Sequence, residues 1–266
     1  WWWQLWETFE AIWKRIQSWR NSPIKNYSRI LLDCASETPW AIRSRWDLIF
    51  RTISYLSQSM ELPEFDEIVV SISSLNELDL TSCVESLIQI SKSELNESPP
   101  RCSSLIRLIS IGYWNIHRAP SVWWKIWKPL ERHLVHACSR GSLSTSECII
   151  NLTQDMISKY IHTTFRTRCF LQPLLDIFEQ HTFDQVKEMV IRKTKRIATE
   201  ECRYLGDGWK TIFSIISLST YNSNVSNSGF DCLERTVSTK LKYLDKYVIE
   251  VLHTIGSFVC HGSSNQ

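Results

Sequence analysis

A tryptophan-anchored phrase returns along this chain: Trp46-Asp-Leu-Ile-Phe50, Trp124-Lys-Ile-Trp127 and Trp209-Lys-Thr-Ile-Phe213. Weaker echoes stand at Trp6-Glu-Thr-Phe9 and Phe170-Leu-Gln-Pro-Leu174. The starts fall at intervals of roughly forty residues, or near-multiples, which is the length of a helical-hairpin repeat. Such a unit cannot bury its apolar face alone. Neighbours must stack, and a large aromatic at a fixed place in each inner helix fills the seam between them. The recurrence points to an elongated helical scaffold and away from a compact enzyme.

Composition agrees with that reading. Of 266 residues 43% are hydrophobic, enough for a continuous core, while only 7 Gly and 8 Pro are present. So few chain breakers disfavour sandwiches, barrels and Gly-loop nucleotide folds. The expected class is all-α, a HEAT/armadillo-like α-solenoid of about a dozen stacked antiparallel helices, with residues 1–266 forming one helical region. A net charge of +2 gives no general case for nucleic-acid binding. The nine Cys are scattered without a CxxC pair, which reads as reduced thiols and neither a disulfide framework nor a zinc site. The sequons Asn26-Tyr-Ser28 and Asn151-Leu-Thr153 carry little weight without a secretory signal. The first residue is not Met, so the chain is expected to be a piece of a longer protein. The uncharged stretch from Thr211 to Phe230 is too rich in Ser and Asn to insert in a membrane, so a cytoplasmic protein is expected.

Along the chain, Leu5, Trp6, Phe9, Ile12, Trp13, Ile16 and Trp19 keep a helical period. Because Glu7 and Glu10 mix the sign of the polar face, this stripe reads better as an uncovered repeat end than as an interfacial membrane helix. Helices are expected over 27–36 and 40–60, with Pro39 between them. The weakest segment is 62–78, and Leu62 to Ser74 reads as a loop. Asp79 is expected to cap a helix reaching Leu95. Helices over 102–116, 120–140, 144–160, 164–180, 182–204, 209–221, 225–239 and 244–260 follow.

A family resemblance enters between residues 101 and 220, where the match is strongest. The run Leu105-Ile-Arg-Leu-Ile-Ser-Ile-Gly-Tyr-Trp-Asn115 is followed by Trp124-Lys-Ile-Trp127. Cys169-Phe-Leu-Gln-Pro-Leu-Leu-Asp-Ile-Phe178 and Gly208-Trp-Lys-Thr-Ile-Phe-Ser214 complete it. In that order and spacing the chain resembles the helical region downstream of the catalytic domain in large Arf guanine-nucleotide exchange factors of the brefeldin-A-inhibited (BIG), trans-Golgi type. Asp207 departs from the pattern, standing where a small residue is usual. Nothing here resembles the Phe-Arg-x-Pro-Gly-Glu-like loop that carries the catalytic glutamate of that family. The resemblance therefore implies a non-catalytic regulatory region, with an Arf-family GTPase, other regions of the same factor and the Golgi membrane surface as partners. It implies peripheral Golgi localisation and a part in vesicle-mediated transport. A Golgi scaffold relative lacking an exchange domain, or an unrelated HEAT-repeat adaptor, are the other readings.

Residues that could carry chemistry are sparse. His133, His136 and Cys138 share a stretch of helix, but no further ligand stands at a recognisable spacing. No catalytic, metal or cofactor site is expected. Arg192, Lys193, Lys195, Arg196 and Arg203 form the densest basic group, a candidate contact for anionic lipid or a GTPase. Phe183, Val186, Val190 and Ile197 are expected to form the buried stripe of the same helix. The motif residues Trp46, Trp124, Trp127, Phe170, Leu171, Pro173, Gly208, Trp209, Lys210 and Phe213 read as structural.

Overall fold

Helical periodicity, short breaks and polar caps dictate what the chain forms. The computed structural model describes residues 33, 35–37, 39–42, 45–57, 64–163 and 167–262, with the backbone alone at 40, 41, 64–67, 163, 261 and 262. Among these residues there is no strand. The helices are α1 (Pro39–Ile42), α2 (Trp46–Leu56), α3 (Glu64–Ile72), α4 (Glu77–Leu95), α5 (Ser103–Trp114) and α6 (Pro120–Arg140). Then come α7 (Leu143–Tyr160), α8 (Thr167–Gln180), α9 (Asp184–Glu200), α10 (Gly208–Leu218), α11 (Ser223–Lys240) and α12 (Val248–Gly262). The expected helices near residues 5–19 and 27–36 lie wholly or mostly outside the described residues.

Helix ends follow local chemistry. The Asn76 side chain accepts the Asp79 amide at 3.0 Å and caps α4, so the cap sits three residues before the Asp79 expected from sequence. Ser142 caps α7 by accepting from the Thr145 amide at 3.2 Å. Pro120 opens α6, where a missing N–H costs nothing. The loop expected at 62–74 is corrected: α3 occupies most of it. Phe65, Ile68, Val69 and Ile72 keep a helical spacing through the acidic residues, and the last three are buried.

Backbone contacts divide the chain into two units, Trp1–Leu130 and Glu131–Gln266. In the first, α2 packs on α4, α3 on α5 and α4 on α5. A buried carboxylate ties these together. Glu94 Oε1 accepts the hydroxyls of Ser54 (2.6 Å) and Ser104 (2.8 Å), and Oε2 accepts the Ser104 amide (2.8 Å) and the Ser103 hydroxyl (3.1 Å). The first turn of α5 is thereby capped by a residue of α4, with the Arg101 guanidinium 3.8 Å away. A buried charge is tolerated because its lone pairs are occupied.

In the second unit alternate helices pack in two rows, α7 on α9 on α11 and α8 on α10 on α12. Polar cross-links join each row, at intervals of 36 to 40 residues with most at 39 or 40. Lys193 reaches Gln154 at 3.0 Å, Asn224 reaches Asp184 at 2.6 Å and Ser228 reaches Glu188 at 2.7 Å. In the other row Thr167 meets Asp207 at 2.9 Å and Ser217 meets Ser257 at 2.9 Å. These five links join residues 39 to 40 positions apart, so the roughly forty-residue interval in the sequence is also the step of the packing.

The aromatic phrase takes a more regular form than the sequence suggested. Trp46 stacks on Phe50 at 5.5 Å and 25°, Trp123 on Trp127 at 5.2 Å and 10°, and Trp209 on Phe213 at 5.8 Å and 25°. Each pair is buried and spaced i, i+4, one above the other on a single helix face. The middle anchor is thus Trp123, whose indole N–H donates to the Gly112 carbonyl at 3.1 Å. Trp124 is 37% exposed, with the Lys128 ammonium 5.2 Å over its ring, so its reading as a core residue is corrected. One residue along a helix is a rotation of about 100°, enough to carry it off the buried face.

The reading of every cysteine as a thiol is corrected as well. Cys102 and Cys148 are disulfide-bonded. Cys83, Cys138, Cys202 and Cys232 are buried thiols.

Because Trp209 is buried in the middle of its row, Trp209→Ala should lower stability by about 3–5 kcal/mol through the cavity it leaves. A thermal melt superimposable on the parent would show that the indole is not part of the core.

Candidate functional site

The motif residues of the second unit meet where α8 passes α10. Phe170, Leu171 and Pro173 of α8 are buried, as are Gly208, Trp209 and Phe213 of α10. A methyl group on Gly208 would lie 2.7 Å from Leu171 Cδ1, so the two helices approach closely here and a larger residue would have to displace the end of the Leu171 side chain. The turn before α10 is held by Thr167. Its hydroxyl lies 2.8 Å from the Leu205 carbonyl and 2.9 Å from the Asp207 carboxylate. Gly206 takes a φ of 47° there, a left-handed conformation natural to glycine. Asp207, unusual in the sequence pattern, therefore has a local partner. Lys210 is exposed, 3.9 Å from Glu250 of α12, and such a surface pair adds little stability.

The basic residues of α9 do not stand as one open patch. Lys193 donates to Gln154, Lys195 pairs with Asp231, and Arg196 binds Glu200 one turn on at 2.9 and 3.0 Å. Arg203, beyond the helix, donates to the Tyr243 hydroxyl at 3.2 Å. Arg192 is exposed and forms no hydrogen bond or ion pair with the described residues. The helix thus spends most of its positive charge on its neighbours. The buried stripe holds Val186, Val190, Ile191, Thr194, Ile197 and Ala198, while Phe183 is 62% exposed at the start of the helix. Phe183 precedes the first helical turn, so the period of α9 does not govern its direction.

Nucleophiles and metal ligands are not assembled. His133 is buried whereas His136 is exposed, so the two do not converge. Among the described residues no group of three His, Cys, Asp or Glu could hold a metal ion. Burial pushes the Cys138 thiol up to about 11 and the Cys232 thiol up to about 12, so both stay protonated near neutral pH and are poor nucleophiles. His181, buried in the turn between α8 and α9, accepts the Phe183 amide on Nδ1 at 3.2 Å. Its pKa is lowered from 6.5, chiefly by burial. Sequence reasoning passed over this histidine, since nothing in its spacing marks it.

Comparison with known proteins points in one direction. Residues 155–235, which run from late α7 into α11, match the family described as Mon2/Sec7/BIG1-like, HDS. Brefeldin A-inhibited guanine nucleotide-exchange protein 1 of Arabidopsis thaliana is 23% identical over 175 residues, covering 62% of this chain and 10% of that protein. The ADP-ribosylation factor guanine nucleotide-exchange factor sec71 of Schizosaccharomyces pombe is 29% identical over 154 residues, covering 54% and 8%. The rat brefeldin A-inhibited guanine nucleotide-exchange protein 1 is 22% identical over 184 residues, covering 67% and 10%. The chain spans about a tenth of the length of these relatives. The family resemblance is therefore shown: the chain is similar to a region of large Arf exchange factors that is not their catalytic domain.

The environment of His181 makes stability depend on pH. A histidine whose folded pKa lies below 6.5 leaves the unfolded chain holding more protons as pH falls from that value. Stability is then full above pH 6.5 and declines as pH drops from there through the folded pKa. The melting temperature of the parent should fall more steeply over that window than that of His181→Gln. Parallel curves would show that His181 is not buried as a neutral ring.

Proposed function

We propose that this chain is a non-catalytic regulatory and scaffold region of a large Arf guanine-nucleotide exchange factor, built as a HEAT/armadillo-like α-solenoid. The observation that carries the reading is the coincidence of the family match with the packing step. Residues 155–235 match the family over the same helices that are cross-linked at intervals of 36 to 40 residues. Rows of stacked helices form continuous side surfaces suited to a protein partner.

The mechanism is binding. One face engages an activated Arf-family GTPase, a further region of the same factor, or the Golgi membrane surface, and biases the exchange domain between inhibited and active states. The chain supports Arf activation and vesicle trafficking from the cytoplasmic side of the Golgi. Guanine nucleotide and Mg²⁺ belong to the GTPase. Among the described residues no helix is long and apolar enough to cross a membrane, in keeping with peripheral recruitment. A Golgi scaffold relative without an exchange domain is the second reading, favoured by the matched description, which names Mon2 beside Sec7 and BIG1.

On α9 the open cation is Arg192, and reversing it breaks no pair seen among the described residues. Flotation on anionic, Golgi-like vesicles carrying Arf locked with GTP, with GDP, or no Arf is the test. Recruitment is expected with Arf–GTP alone, and Arg192→Glu should weaken it several-fold. Equal flotation in all three arms, or none in any, would contradict the GTPase-dependent role.

A further inference from the structure

Between α4 and α5 the chain makes a short loop, residues 96–102, closed at its base by one carbonyl. The Glu94 oxygen accepts the Glu97 amide at 3.2 Å and the Arg101 amide at 3.0 Å. Asn96, Glu97, Ser98 and Pro99 stand exposed on it. The sequence there is Ser98-Pro-Pro-Arg101, a serine followed directly by proline and, three residues on, by a permanent positive charge. Proline has no N–H, so a groove without an acceptor at that place admits it and rejects residues whose N–H would be left unpaired. Such a groove, with an acidic site for the basic residue, is that of a proline-directed serine/threonine kinase.

Arg101 also holds this loop to α2. Its Nε and Nη2 donate to the Glu97 carboxylate at 2.6 and 2.7 Å. Nη1 and Nη2 donate to the Ser54 carbonyl at 3.0 Å and the Ser54 hydroxyl at 3.2 Å. The guanidinium lies 3.8 Å from Glu94, whose buried charge it helps to offset. One side chain thus serves the exposed loop, the end of α2 and the buried carboxylate.

We propose that Ser98 is a phosphorylation site of a proline-directed kinase, and that its phosphate draws Arg101 away from Ser54. The γ-phosphoryl group of ATP passes to Ser98 Oγ. The bond from the γ-phosphorus to the β,γ-bridging oxygen breaks as the Oγ–P bond forms, ADP leaves, and the hydroxyl proton goes through the kinase's base to solvent. A phosphoserine carries a charge of about −1.5 to −2 and three acceptor oxygens, which a guanidinium binds bidentately. Arg101 is the nearest cation in sequence, on a loop whose ends meet. The phosphate also repels the adjacent Glu97 carboxylate, which weakens the present pair from both sides. Loss of the Ser54 contacts frees the last turn of α2 and leaves Glu94 with less compensation.

Incubating the 266-residue chain with ATP and a cyclin-dependent kinase, and mapping the phosphate by mass spectrometry, tests the site. Ser22-Pro-Ile-Lys25 has the same pattern outside the described residues, so Ser22→Ala is the background in which Ser98 is read. Phosphate on Ser98 is expected, and its loss in Ser98→Ala. Hydrogen exchange then tests the consequence. Amides of residues 52–57 should exchange about threefold faster or more in the phosphorylated protein, with α9 to α11 unchanged and Ser98→Ala keeping the unmodified pattern after the same treatment. No phosphate at Ser98 overturns the site. Phosphate there with unchanged exchange at 52–57 overturns the displacement of Arg101.

Discussion

An aromatic pair stacked one turn apart inside a helix is the interaction on which the rest of this structure depends. Trp46 with Phe50, Trp123 with Trp127, and Trp209 with Phe213 each present a rigid double ring to the neighbouring helices. Such a pair adds about 0.5–1.5 kcal/mol beyond the large apolar area it buries. It also fixes which face of the helix turns inward. Where the rings fill the space, their neighbours must be small, as with Gly112, whose added methyl would come 3.3 Å from Leu130 and 3.5 Å from Trp127.

Polar groups set the register of what the aromatics hold. The cross-links of the second unit are mostly exposed or half-buried, and each contributes modestly in water. Their value lies in number: several polar links along each helix pair penalise a helix that slides along its neighbour. The first unit uses a different device. Glu94 is buried and fully engaged, and a slip of α4 against α2 or α5 would strand its charge. Apolar burial supplies the stability, and these contacts choose one arrangement.

The sequence showed the helical class, most helix ranges and the roughly forty-residue step, because all three are local or periodic signals. The frame of the middle anchor was not legible. Trp123 and Trp124 are adjacent and chemically identical, and only packing decides which one faces inward. The α3 segment was hidden by Pro63 and its acidic residues, although its apolar positions kept a helical period. The basic group on α9 looked like a site because sequence shows charge without its partners. Gln154 and Asp231 lie 39 and 36 residues away, beyond the reach of any local motif. His181 was missed for the same reason, since its burial depends on tertiary contacts.

The surfaces of stacked rows exist only while each helix is supported by the one beside it. Stability should therefore pass from neighbour to neighbour along a row. Amide hydrogen exchange of the whole chain with Gly208→Ala measures this directly, because the added methyl presses on Leu171 of α8 from α10. The account predicts reduced protection in α8, α10 and α12 together, with α2 to α5 unchanged. A loss confined to the first turn of α10 would contradict the claim that the rows hold one another in place.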